Sequence, residues 1–573
     1  MLSVKVLKIL LILLFFIVDL CLAENIEPTL YEPLVLREDD SESRVAPKLA
    51  SGSHVKVSIP SLPYIYTSHA ISSGLIRPAN NEAGWEYDVA TSHQQIDDTT
   101  YEFKLRKGVR FQDGSPFDAD SIVMNMAYFK KKPFVFTNIH NVFDRVEKID
   151  QYTVRFHLTE KYGQFFNDTI WIHFYTPEYL NKYGWNGKAT CPNLAEPGPY
   201  SLGPYILTEG YVEGDRSTDE VKLKANPYYW DKRFPKVENI TVYPKMSAGD
   251  AMQSVKNSEG EIDIATIPFS SKVETTLSPY AKVVKSPSNN NFSIQINLIN
   301  GNPQLQDKEV RVALNRAINQ KNLLNFVYDG EGVTHPTTAA ASFPGVREIV
   351  KNFRPYSELE DPNDPIVRTE LKTILDGLVL KFYAQDRFKW LIKGIEYQLN
   401  KVGVTLDVEY TSSETDVFGQ LLTTNGGNNT KQWDLIIWGL DDWYYNHPWT
   451  VFLLYRTHNV WSTISPDSTL DGYIDKLFTT SVGTTEFVNT SEKIMRHVYN
   501  NGYMLFTPGP NKVLATNKEV LFTPYKVASI PLWEIEITNE HWSLRKGPYP
   551  EALKRPIKII EKNFQTPIQI TAN

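Results

Sequence analysis

Residues 101–126 read YEFKLRKGVRFQDGSPFDADSIVMNM, and this stretch decides the fold. It opens with an alternation of apolar and polar residues, which is typical of a half-buried strand. The residues DGSP at 113–116 predict a tight turn. The residues DADS at 118–121 then open a helix with an apolar face, and their carboxylates suit the positive end of the helix dipole. A strand, a turn and a helix in this order indicate an α/β protein.

The same patterns continue on both sides of this stretch. Alternating strands are predicted at residues 55–59, 153–158, 221–224 and 239–243, and one helix at residues 311–326. Tyr228-Tyr229-Trp230 predicts an aromatic knot in a core. The later half predicts a strand at 378–383, a helix at 388–402, a strand at 405–410 and a buried strand at 434–438. Strands that alternate with helices imply open mixed sheets.

Length and charge narrow the class of protein. The chain has 573 residues, and a single hydrophobic core stops growing at roughly 250–300 residues, so at least two lobes are expected. The aromatic content of 12% is high enough that some aromatic side chains are expected to line a binding surface. The net charge of −8 argues against a nucleic-acid partner, since a surface that follows phosphates needs an excess of basic residues.

The first 23 residues are expected to be a signal peptide. Lys5 and Lys8 precede an apolar run at residues 9–18, and small residues end at Ala23. A run of this length is too short for a spanning helix, which needs about 20 apolar residues. Cleavage after Ala23 would make the protein periplasmic, and because no later segment is long enough to span a membrane, the mature protein is expected to be soluble.

The two cysteines predict no disulfide. Cys21 offers an alternative in which the protein carries a lipid anchor, although the acidic Asp19 makes a poor match to a lipid-attachment sequence. Cys191 is then the single cysteine of the mature chain, so packing alone must hold the lobes together. Cys191 lies in a predicted loop without a neighbouring His or Lys, and it is interpreted as a structural thiol.

The stretch at 101–126 resembles the signature of extracellular solute-binding proteins of family 5, the oligopeptide, dipeptide and nickel group of ABC importers. Further blocks resemble the same family in the same order, and together they cover about residues 54–545. These blocks are GPYILTEG at 203–210, VKLKANPYYWDKRFPKVENITVYP at 221–244, EGEIDIATIP at 259–268, VRVALNRAINQKNLLNFVYDGEG at 310–332, LKFYAQDRFKWLIKGIEYQLNKVGVTLDVEY at 380–410 and WDLIIWGL at 433–440.

The resemblance implies an α/β fold of the type II periplasmic-binding-protein class, with two lobes built on mixed sheets and a double-crossover hinge. The implied lobe I is discontinuous and consists of residues 24–74, 194–285 and 510–573. Residues 75–193 form a subdomain on it, and residues 286–509 form lobe II. Closing such a hinge would bury a ligand between the lobes.

The resemblance also implies a function. The protein is expected to capture a peptide or similar small polar solute and deliver it to an ABC transporter permease in the membrane, as a monomer without cofactor or catalysis. A ligand-sensing receptor of the same fold and a binder of a sugar or chelated metal stay open as alternatives. An exported hydrolase is the weakest alternative, because the sequence contains no HExxH, GxSxG or GxxxxGK motif.

The predicted specificity loop is WGLDDWYYNHPW at residues 438–449. It follows a buried strand, and ligands of open α/β sheets lie beyond the carboxyl ends of strands. Aromatic walls with a few polar anchors are typical of a ligand pocket. The alternative is that the aromatics pack inside the lobe and the acids form a solvated turn. The candidate ligand-binding residues of this loop are Trp438, Asp441, Asp442, Trp443, Tyr445 and His447.

This loop departs from the family at one position. In peptide-binding relatives an aspartate shortly before the loop's proline pairs with the α-ammonium group of the peptide. Here His447 stands immediately before Pro448, and an imidazole is a poor partner for a cation. Asp441 or Asp442 could replace that aspartate, and otherwise an acidic, sugar-like or chelated-metal ligand is favoured.

Candidates outside this loop are Tyr64, Tyr66 and Asn290. Tyr64 and Tyr66 follow the first strand and are expected either to stack on a ligand or to pack in a core. Asn290 lies near an implied crossing between lobes, where its amide either meets the ligand or turns the chain. His140 and His173 lack a neighbouring residue at metal-ligand spacing, so structural roles are expected for both, and no metal site is predicted.

Overall fold

The computed structural model describes residues 49–556, apart from 61–62, 82, 132–138, 185–195, 214–215, 287–293, 335, 341–342, 344–345, 429, 438–451, 453 and 527–529. These residues all belong to one unit, which residues 41–556 form. Sheets of seven, five and four strands dominate the described part of the chain.

The strands follow one another in short segments. They are β1 His54–Ser58, β2 Ile76–Pro78, β3 Trp85–Tyr87, β4 Ala90–Asp97, β5 Thr100–Leu105, β6 Phe143–Asp150, β7 Thr153–Leu158, β8 Tyr205–Glu209, β9 Val212–Glu213, β10 Arg216–Ser217, β11 Val221–Ala225, β12 Asn239–Tyr243, β13 Ile264–Thr266, β14 Ala281–Ser286, β15 Ile294–Ile296, β16 Gly332–Val333, β17 Val379–Gln385, β18 Thr405–Thr411, β19 Leu435–Ile437, β20 Met504–Leu505, β21 Gly509–Pro510, β22 Lys512–Asn517, β23 Val520–Leu521 and β24 Glu536–Ile537.

The helices lie between these strands. They are α1 Pro63–Ile71, α2 Ala119–Lys131, α3 Ile139–Val142, α4 Phe165–Thr169, α5 Pro177–Tyr183, α6 Ala248–Asn257, α7 Lys272–Thr276, α8 Lys308–Ala317, α9 Gln320–Tyr328, α10 Val346–Val350, α11 Tyr356–Leu359, α12 Pro365–Leu375, α13 Lys389–Asn400, α14 Glu414–Thr424, α15 Ser468–Phe478 and α16 Thr485–Asn501. Short 3-10 turns include Phe269–Ser271, Pro303–Gln306, Asp386–Phe388, Leu532–Glu534 and Glu551–Lys554.

The seven-stranded sheet has the order β14-β22-β13-β1-β12-β11-β8. Strand β1 lies at its centre, parallel to β12 on one side and β13 on the other. The alternation predicted for this strand is present, since Val55 and Val57 are fully buried. Strand β22 runs antiparallel between β13 and β14. The sheet is therefore mixed and is assembled from segments far apart in sequence.

The five-stranded sheet has the order β18-β17-β19-β15-β20. Strand β17 is parallel to β18 and β19, whereas β15 is antiparallel to β19 and β20. Helix α13 contacts β18, and α14 contacts both β17 and β18. The second sheet is also mixed, so the predicted fold class is confirmed in its open mixed sheets.

The four-stranded sheet contains the strand of the decisive stretch. Its order is β4-β5-β7-β6, and all its pairs are antiparallel. The predicted turn follows β5, with Gly114 at a φ of +86°, a backbone conformation that favours glycine. Helix α2 then begins beside Asp118, whose carboxylate accepts a hydrogen bond from the backbone N–H of Asp120 at 3.0 Å. The predicted strand, turn and helix are confirmed.

The predicted aromatic knot is part of a buried cluster. Tyr229 packs with Phe234, Tyr525 and Trp533, and Trp230 covers the edge, whereas Tyr228 is exposed. The guanidinium group of Arg77 donates to the Tyr229 hydroxyl and to the Asp231 carboxylate, both at 2.8 Å.

This arrangement places an ion pair inside the cluster. The side chains of Arg77 and Asp231 are 7% and 6% exposed. Although burial alone would raise the pKa of Asp231, hydrogen bonds from Arg233 and Arg77 hold it well below its usual value. Asp231 therefore stays charged, and Arg77 is its buried counter-ion.

The single helix predicted at 311–326 is wrong. The structure has two helices, α8 and α9, and the backbone between them leaves the helical region at Ile318 and Asn319, with ψ of 107° and 96°. The Asn319 side chain accepts from the backbone N–H of Asn322 at 2.9 Å and caps the second helix. Asparagine is a favourable N-cap, so it starts a new helix where the apolar period alone suggests continuity.

Candidate functional site

Two neighbouring strands of the five-stranded sheet bring the predicted loop and the predicted asparagine to one edge. In the antiparallel pair β15 and β19, Ile294 lies opposite Ile437. Residue 438 follows Ile437, and residues 287–293 precede Ile294. The chain therefore leaves β19 and enters β15 at the same end of the sheet. Trp438, Asp441, Asp442, Trp443, Tyr445, His447 and Asn290 themselves lie outside the described residues, and their roles stay predictions.

The residues that follow β17 place a positively charged side chain, that of Arg387, at this end of the sheet. Because β17 is parallel to β19, its final residue Gln385 lies at the same edge as Ile437. Gln385 is buried, and its side-chain oxygen accepts a hydrogen bond from Nε of Arg387 at 2.9 Å. Arg387 is itself exposed, with its guanidinium group 4.8 Å from the Phe388 ring centroid. A fixed guanidinium group can bind a carboxylate through paired hydrogen bonds.

Arg387 was missed from sequence alone. The available signal was its position, a few residues beyond a predicted strand that feeds a predicted helix, where ligands of α/β sheets bind. That signal is weak, because an exposed arginine at such a turn is ordinary. The hydrogen bond to Gln385, which fixes its direction, becomes visible only in the structure.

The last strand of the sheet reaches the same edge. Leu505 of β20 lies opposite Ile294. The Asn315 side chain on α8 holds this strand end, donating to the Met504 carbonyl at 2.9 Å and accepting from the backbone N–H of Phe506 at 3.0 Å. Two hydrogen bonds thus attach this edge of the sheet to helix α8.

The chain passes twice between the two larger sheets, and both passages begin and end at paired strand residues. Ser286 at the end of β14 pairs with Lys512 at the start of β22. At the other sheet, Ile294 pairs with Leu505. Residues 287–293 and residues 506–511 therefore connect neighbouring positions in one sheet to neighbouring positions in the other. This is the predicted double crossover, which is a hinge geometry.

An ion-pair cluster connects the seven-stranded sheet to the turn after α9 near this hinge. The carboxylate of Glu331, in the turn after α9, lies 2.6 Å from the ammonium group of Lys272 and 2.7 Å from that of Lys285. Lys285 belongs to β14 and Lys272 begins α7. Burial would raise the pKa of Glu331, but hydrogen bonds from the two lysines outweigh it and hold the pKa below its usual value.

Tyr64 and Tyr66 lie on α1, which directly follows the central strand of the seven-stranded sheet. Every residue of this short helix is buried. On the same helix, His69 lies against Trp171 and His173, with ring centroids 4.7 and 5.0 Å apart. Tyr64 and Tyr66 are therefore buried near the carboxyl end of β1. Their burial fits the alternative in which they pack in a core.

The two histidines of this cluster are neutral. Nε2 of His173 and Nδ1 of His69 are 3.2 Å apart. Burial lowers the pKa of His173 to about 3. Burial and then the neighbouring His173 lower the pKa of His69 well below its usual value. The cluster is thus an uncharged aromatic wall, and the structural role predicted for His173 fits its burial.

A Ser-His-Asp chain elsewhere bears on the hydrolase alternative. Nδ1 of His541 lies 2.9 Å from the Ser543 hydroxyl, and Nε2 lies 3.2 Å from the Asp263 carboxylate. His541 and Asp263 are fully buried. Asp263 also accepts from Trp542 and from the backbone of Lys56. These contacts attach the C-terminal segment to the central sheet, so the arrangement reads as structural.

A cavity of about 530 Å³ lies at the opposite end of the five-stranded sheet, away from the candidate site. Asp434 lines it at the start of β19, and its carboxylate accepts from the backbone N–H groups of Lys381 and Asn302 at 2.8 and 2.6 Å.

Within the described ranges there is no cluster of three or more His, Cys, Asp and Glu side chains suited to a metal ion. None of the described helices combines the length and apolar character that crossing a membrane requires.

Comparison with known proteins identifies a matching family and several relatives. Residues 84–462 match the family of bacterial extracellular solute-binding proteins, family 5. The glutathione-binding protein GsiB of Salmonella paratyphi A is 25% identical over 341 residues, which are 56% of this chain and 61% of that protein. GsiB of Shigella boydii is 27% identical over 294 residues, or 49% of this chain and 51% of the relative. The chain thus spans half to three fifths of these curated relatives.

Solved structures share the fold over most of the chain. A putative peptide binding protein, AppA from Clostridium difficile, has a TM-score of 0.68 at 16% identity and covers 85% of this chain and 100% of its own. DppA from Helicobacter pylori in complex with the peptide STSA has a TM-score of 0.67 at 16% identity, with 86% and 98% covered. These are type II periplasmic binding proteins, so the fold class expected from the sequence is confirmed. The chain therefore belongs to the family 5 bacterial extracellular solute-binding proteins.

Proposed function

We propose that the protein captures a peptide or a similar small polar solute between two lobes and delivers it to an ABC importer. The observation that carries this proposal is the pair of adjacent crossings, with Ser286 opposite Lys512 and Ile294 opposite Leu505. Two parallel connections allow the sheets to rotate about one axis. A site at the strand ends beside that axis opens to load and closes around its ligand.

The lobes of this clamp follow the two larger sheets. In this proposal, residues 24–74, 194–285 and 510–573 form lobe I around the seven-stranded sheet, and residues 286–509 form lobe II around the five-stranded sheet. Residues 75–193 form a subdomain around the four-stranded sheet. The strand membership of each sheet supports this division.

The ligand we propose first is a short peptide with an accessible carboxylate. Arg387 places a guanidinium group at the strand ends of the proposed lobe II, and the aromatic wall around His69 stays neutral. Asp441 or Asp442 would pair with the ligand's ammonium group in place of the residue at His447. Glutathione is a tripeptide with two carboxylates and one ammonium group, and the GsiB relatives are glutathione-binding proteins.

Native mass spectrometry followed by calorimetry tests this function. Protein purified without refolding should carry a small ligand, and the ligand-free protein should bind one molecule from a panel of glutathione, a tripeptide and a nickel–histidine chelate. Preference for the chelate would favour the metal-binding alternative. Conversion of any of these compounds into products would identify a hydrolase and contradict the proposal.

We further propose that the protein is exported, loses residues 1–23 and works as a monomer outside the cytoplasmic membrane. The basic and apolar residues before Ala23 support this location. N-terminal sequencing of exported protein should begin at Glu24. A protein that keeps its apolar run would contradict cleavage, and modification of Cys21 would identify a lipid anchor instead.

A further inference from the structure

Helices α9 and α13 of the proposed lobe II pack side by side in opposite directions. At one level, a β-carbon on Gly394 would lie 2.7 Å from the Leu323 side chain and 3.6 Å from Val327. At another level, the Gln398 side chain accepts from the backbone N–H of Asn319 at 2.7 Å. Position 394 thus meets 323 and 327 while position 398 meets 319, which fixes the antiparallel arrangement. Both helices bury one side against the same core and expose the other side to solvent.

Three large aromatic side chains stand on the exposed side of this helix pair. Phe326, Trp390 and Tyr397 are 77%, 72% and 65% exposed. Trp390 lies one turn before Gly394 and Tyr397 lies three residues after it, while Phe326 lies between Leu323 and Val327 on the partner helix. Positions three or four apart share a helix face, so the three rings line the solvent side of one groove. Clustered exposed aromatic side chains are typical of a surface that binds a protein or a membrane.

Basic residues accompany the aromatic residues along these two helices. Residues 320–328 and 386–401 contain five basic residues and two acidic ones, in a chain whose net charge is −8. Lys321, Lys389, Lys393 and Lys401 are all exposed. The Lys401 ammonium group lies 4.4 Å from the Tyr397 ring centroid. We define Phe326, Trp390, Tyr397, Lys389, Lys393 and Lys401 as the aromatic–basic face; Lys321, five positions from Phe326, lies on another side of α9.

Acidic groups near this face, among them Asp386 at the start of residues 386–401, reduce its positive charge. Glu396 is paired with Lys393 at 2.7 Å. Beyond Lys401, Asp361 accepts from the backbone N–H of Asn363 and Asp364 from that of Ile366, at 2.9 and 2.8 Å. The positive charge of the face is therefore reduced but not cancelled by its surroundings.

We propose that the aromatic–basic face docks on the surface of a membrane that contains anionic phospholipids. Tryptophan and tyrosine rings prefer the headgroup region of a bilayer, and lysines beside them are attracted by anionic headgroups. A second copy of this chain fits less well, because a two-fold contact would bring the same lysines of both copies together. The proposal does not rest on ligand capture, and its failure would leave the proposed function untouched.

Vesicle co-sedimentation of the purified protein tests the proposal. Vesicles of equal parts phosphatidylglycerol and phosphatidylethanolamine should bind the protein at low salt, and pure phosphatidylcholine vesicles should not. The triple variant Phe326→Ser, Trp390→Ser, Tyr397→Ser and the charge variant Lys389→Glu, Lys401→Glu should each lower the bound fraction about tenfold. The matched control Ile96→Ser, Ile149→Ser, Val460→Ser removes exposed apolar residues elsewhere and should bind like the wild type.

Several outcomes would overturn the proposal. They are equal binding to both kinds of vesicle, no binding by the wild type, and unchanged binding by both surface variants when circular dichroism shows that they are folded. Light scattering after gel filtration measures the oligomeric state and tests whether the face binds a second copy of the chain. A wild-type dimer that becomes a monomer in the triple variant would assign the face to self-association instead.

Discussion

Gly163 and Thr480 approach so closely that a β-carbon on Gly163 would lie 2.1 Å from the carbonyl oxygen of Thr480. The backbone N–H of Gly163 also donates to the carbonyl of Phe478 at 2.8 Å. Next to it, the Tyr162 and Phe478 rings are 5.0 Å apart. Gly163 follows the last strand of the four-stranded sheet along the chain, and Phe478 ends α15, so this contact joins the proposed subdomain to the proposed lobe II.

We propose that this contact belongs to the closed clamp, and we therefore expect Gly163→Ala to weaken ligand binding. The added methyl group should cost about 1–3 kcal/mol in the closed state, in the range of overpacking a close contact, and ligand should then reduce the radius of gyration less than in the wild type. Calorimetry and small-angle scattering measure these effects. Gly472→Ala on α15, where a β-carbon would meet no atom within 4 Å, is the matched control. A lower melting temperature with unchanged affinity would contradict this prediction.

The predicted specificity loop should contribute stacking area and charge. Trp443→Ala should weaken binding by about 1–3 kcal/mol through lost apolar burial. Asp441→Asn or Asp442→Asn should cost a similar amount if either carboxylate binds a ligand cation. Calorimetry on single variants, with thermal melts as a folding control, decides the matter. If all three variants bind as the wild type does, the loop is structural.

Arg387 should select ligands that carry a carboxylate. We expect Arg387→Ala to lower affinity for glutathione by about 1.5–3 kcal/mol, the range for a hydrogen bond to a charged group. Arg387→Lys keeps the charge but loses the paired geometry, so it should restore only part of the affinity. A ligand analogue with amides in place of its carboxylates should bind both variants and the wild type alike. Equal losses for the amide would show that Arg387 acts on the fold.

Glu331 should make stability depend on pH in the acidic range. Its pKa is lowered in the folded protein, so its contribution is fully present above the pKa of the unfolded chain and is lost as pH falls through the folded value. Below about pH 4.5, therefore, the melting temperature should fall more steeply in the wild type than in Glu331→Gln. At neutral pH the variant should be destabilised by about 1–3 kcal/mol. Parallel curves for the two proteins would contradict this assignment.

The buried pair of Arg77 and Asp231 should be intolerant of removing one partner. We expect Arg77→Ala to destabilise the protein by about 3–5 kcal/mol, because it leaves the Asp231 carboxylate buried with one counter-ion fewer. Denaturant unfolding measures the effect. Arg145→Ala removes an exposed partner of Asp144 and should change stability by less than about 1 kcal/mol. Similar losses for both variants would mean that burial of the pair is unimportant.

The sequence predicts those parts of the fold that depend on neighbours along the chain. The alternation at 101–105, the turn at Gly114 and the helix after Asp118 all follow local rules and are confirmed. The prediction of one helix at 311–326 is wrong because the apolar face continues across Asn319, although the Asn319 side chain caps a new helix there. At Asn319 the apolar periodicity predicts a continuous helix, whereas the capping side chain predicts the start of a new helix. The structure follows the cap.

The candidate site is predictable to a lesser degree. Ile437, which precedes the predicted loop, lies opposite Ile294, and this position depends on the pairing of β15 with β19, which lie far apart in sequence. The orientation of Arg387 depends on Gln385, and the neutral wall depends on His69 meeting His173. Tyr64 and Tyr66 were expected either to stack on a ligand or to pack in a core, and their burial on α1 depends on packing that no local pattern shows.

The position of β22 has a consequence for how the chain acquires its structure. Ile264 of β13 pairs with Thr516 of β22, and β14 pairs with the other side of β22. Strand β14 can therefore join the sheet only after almost the entire polypeptide has been synthesised. Such sequence-distant pairing slows folding, since a long loop must close before the contact forms. We expect a chain of this design to stay incompletely folded for longer than one built from local hairpins, which would suit the export proposed above.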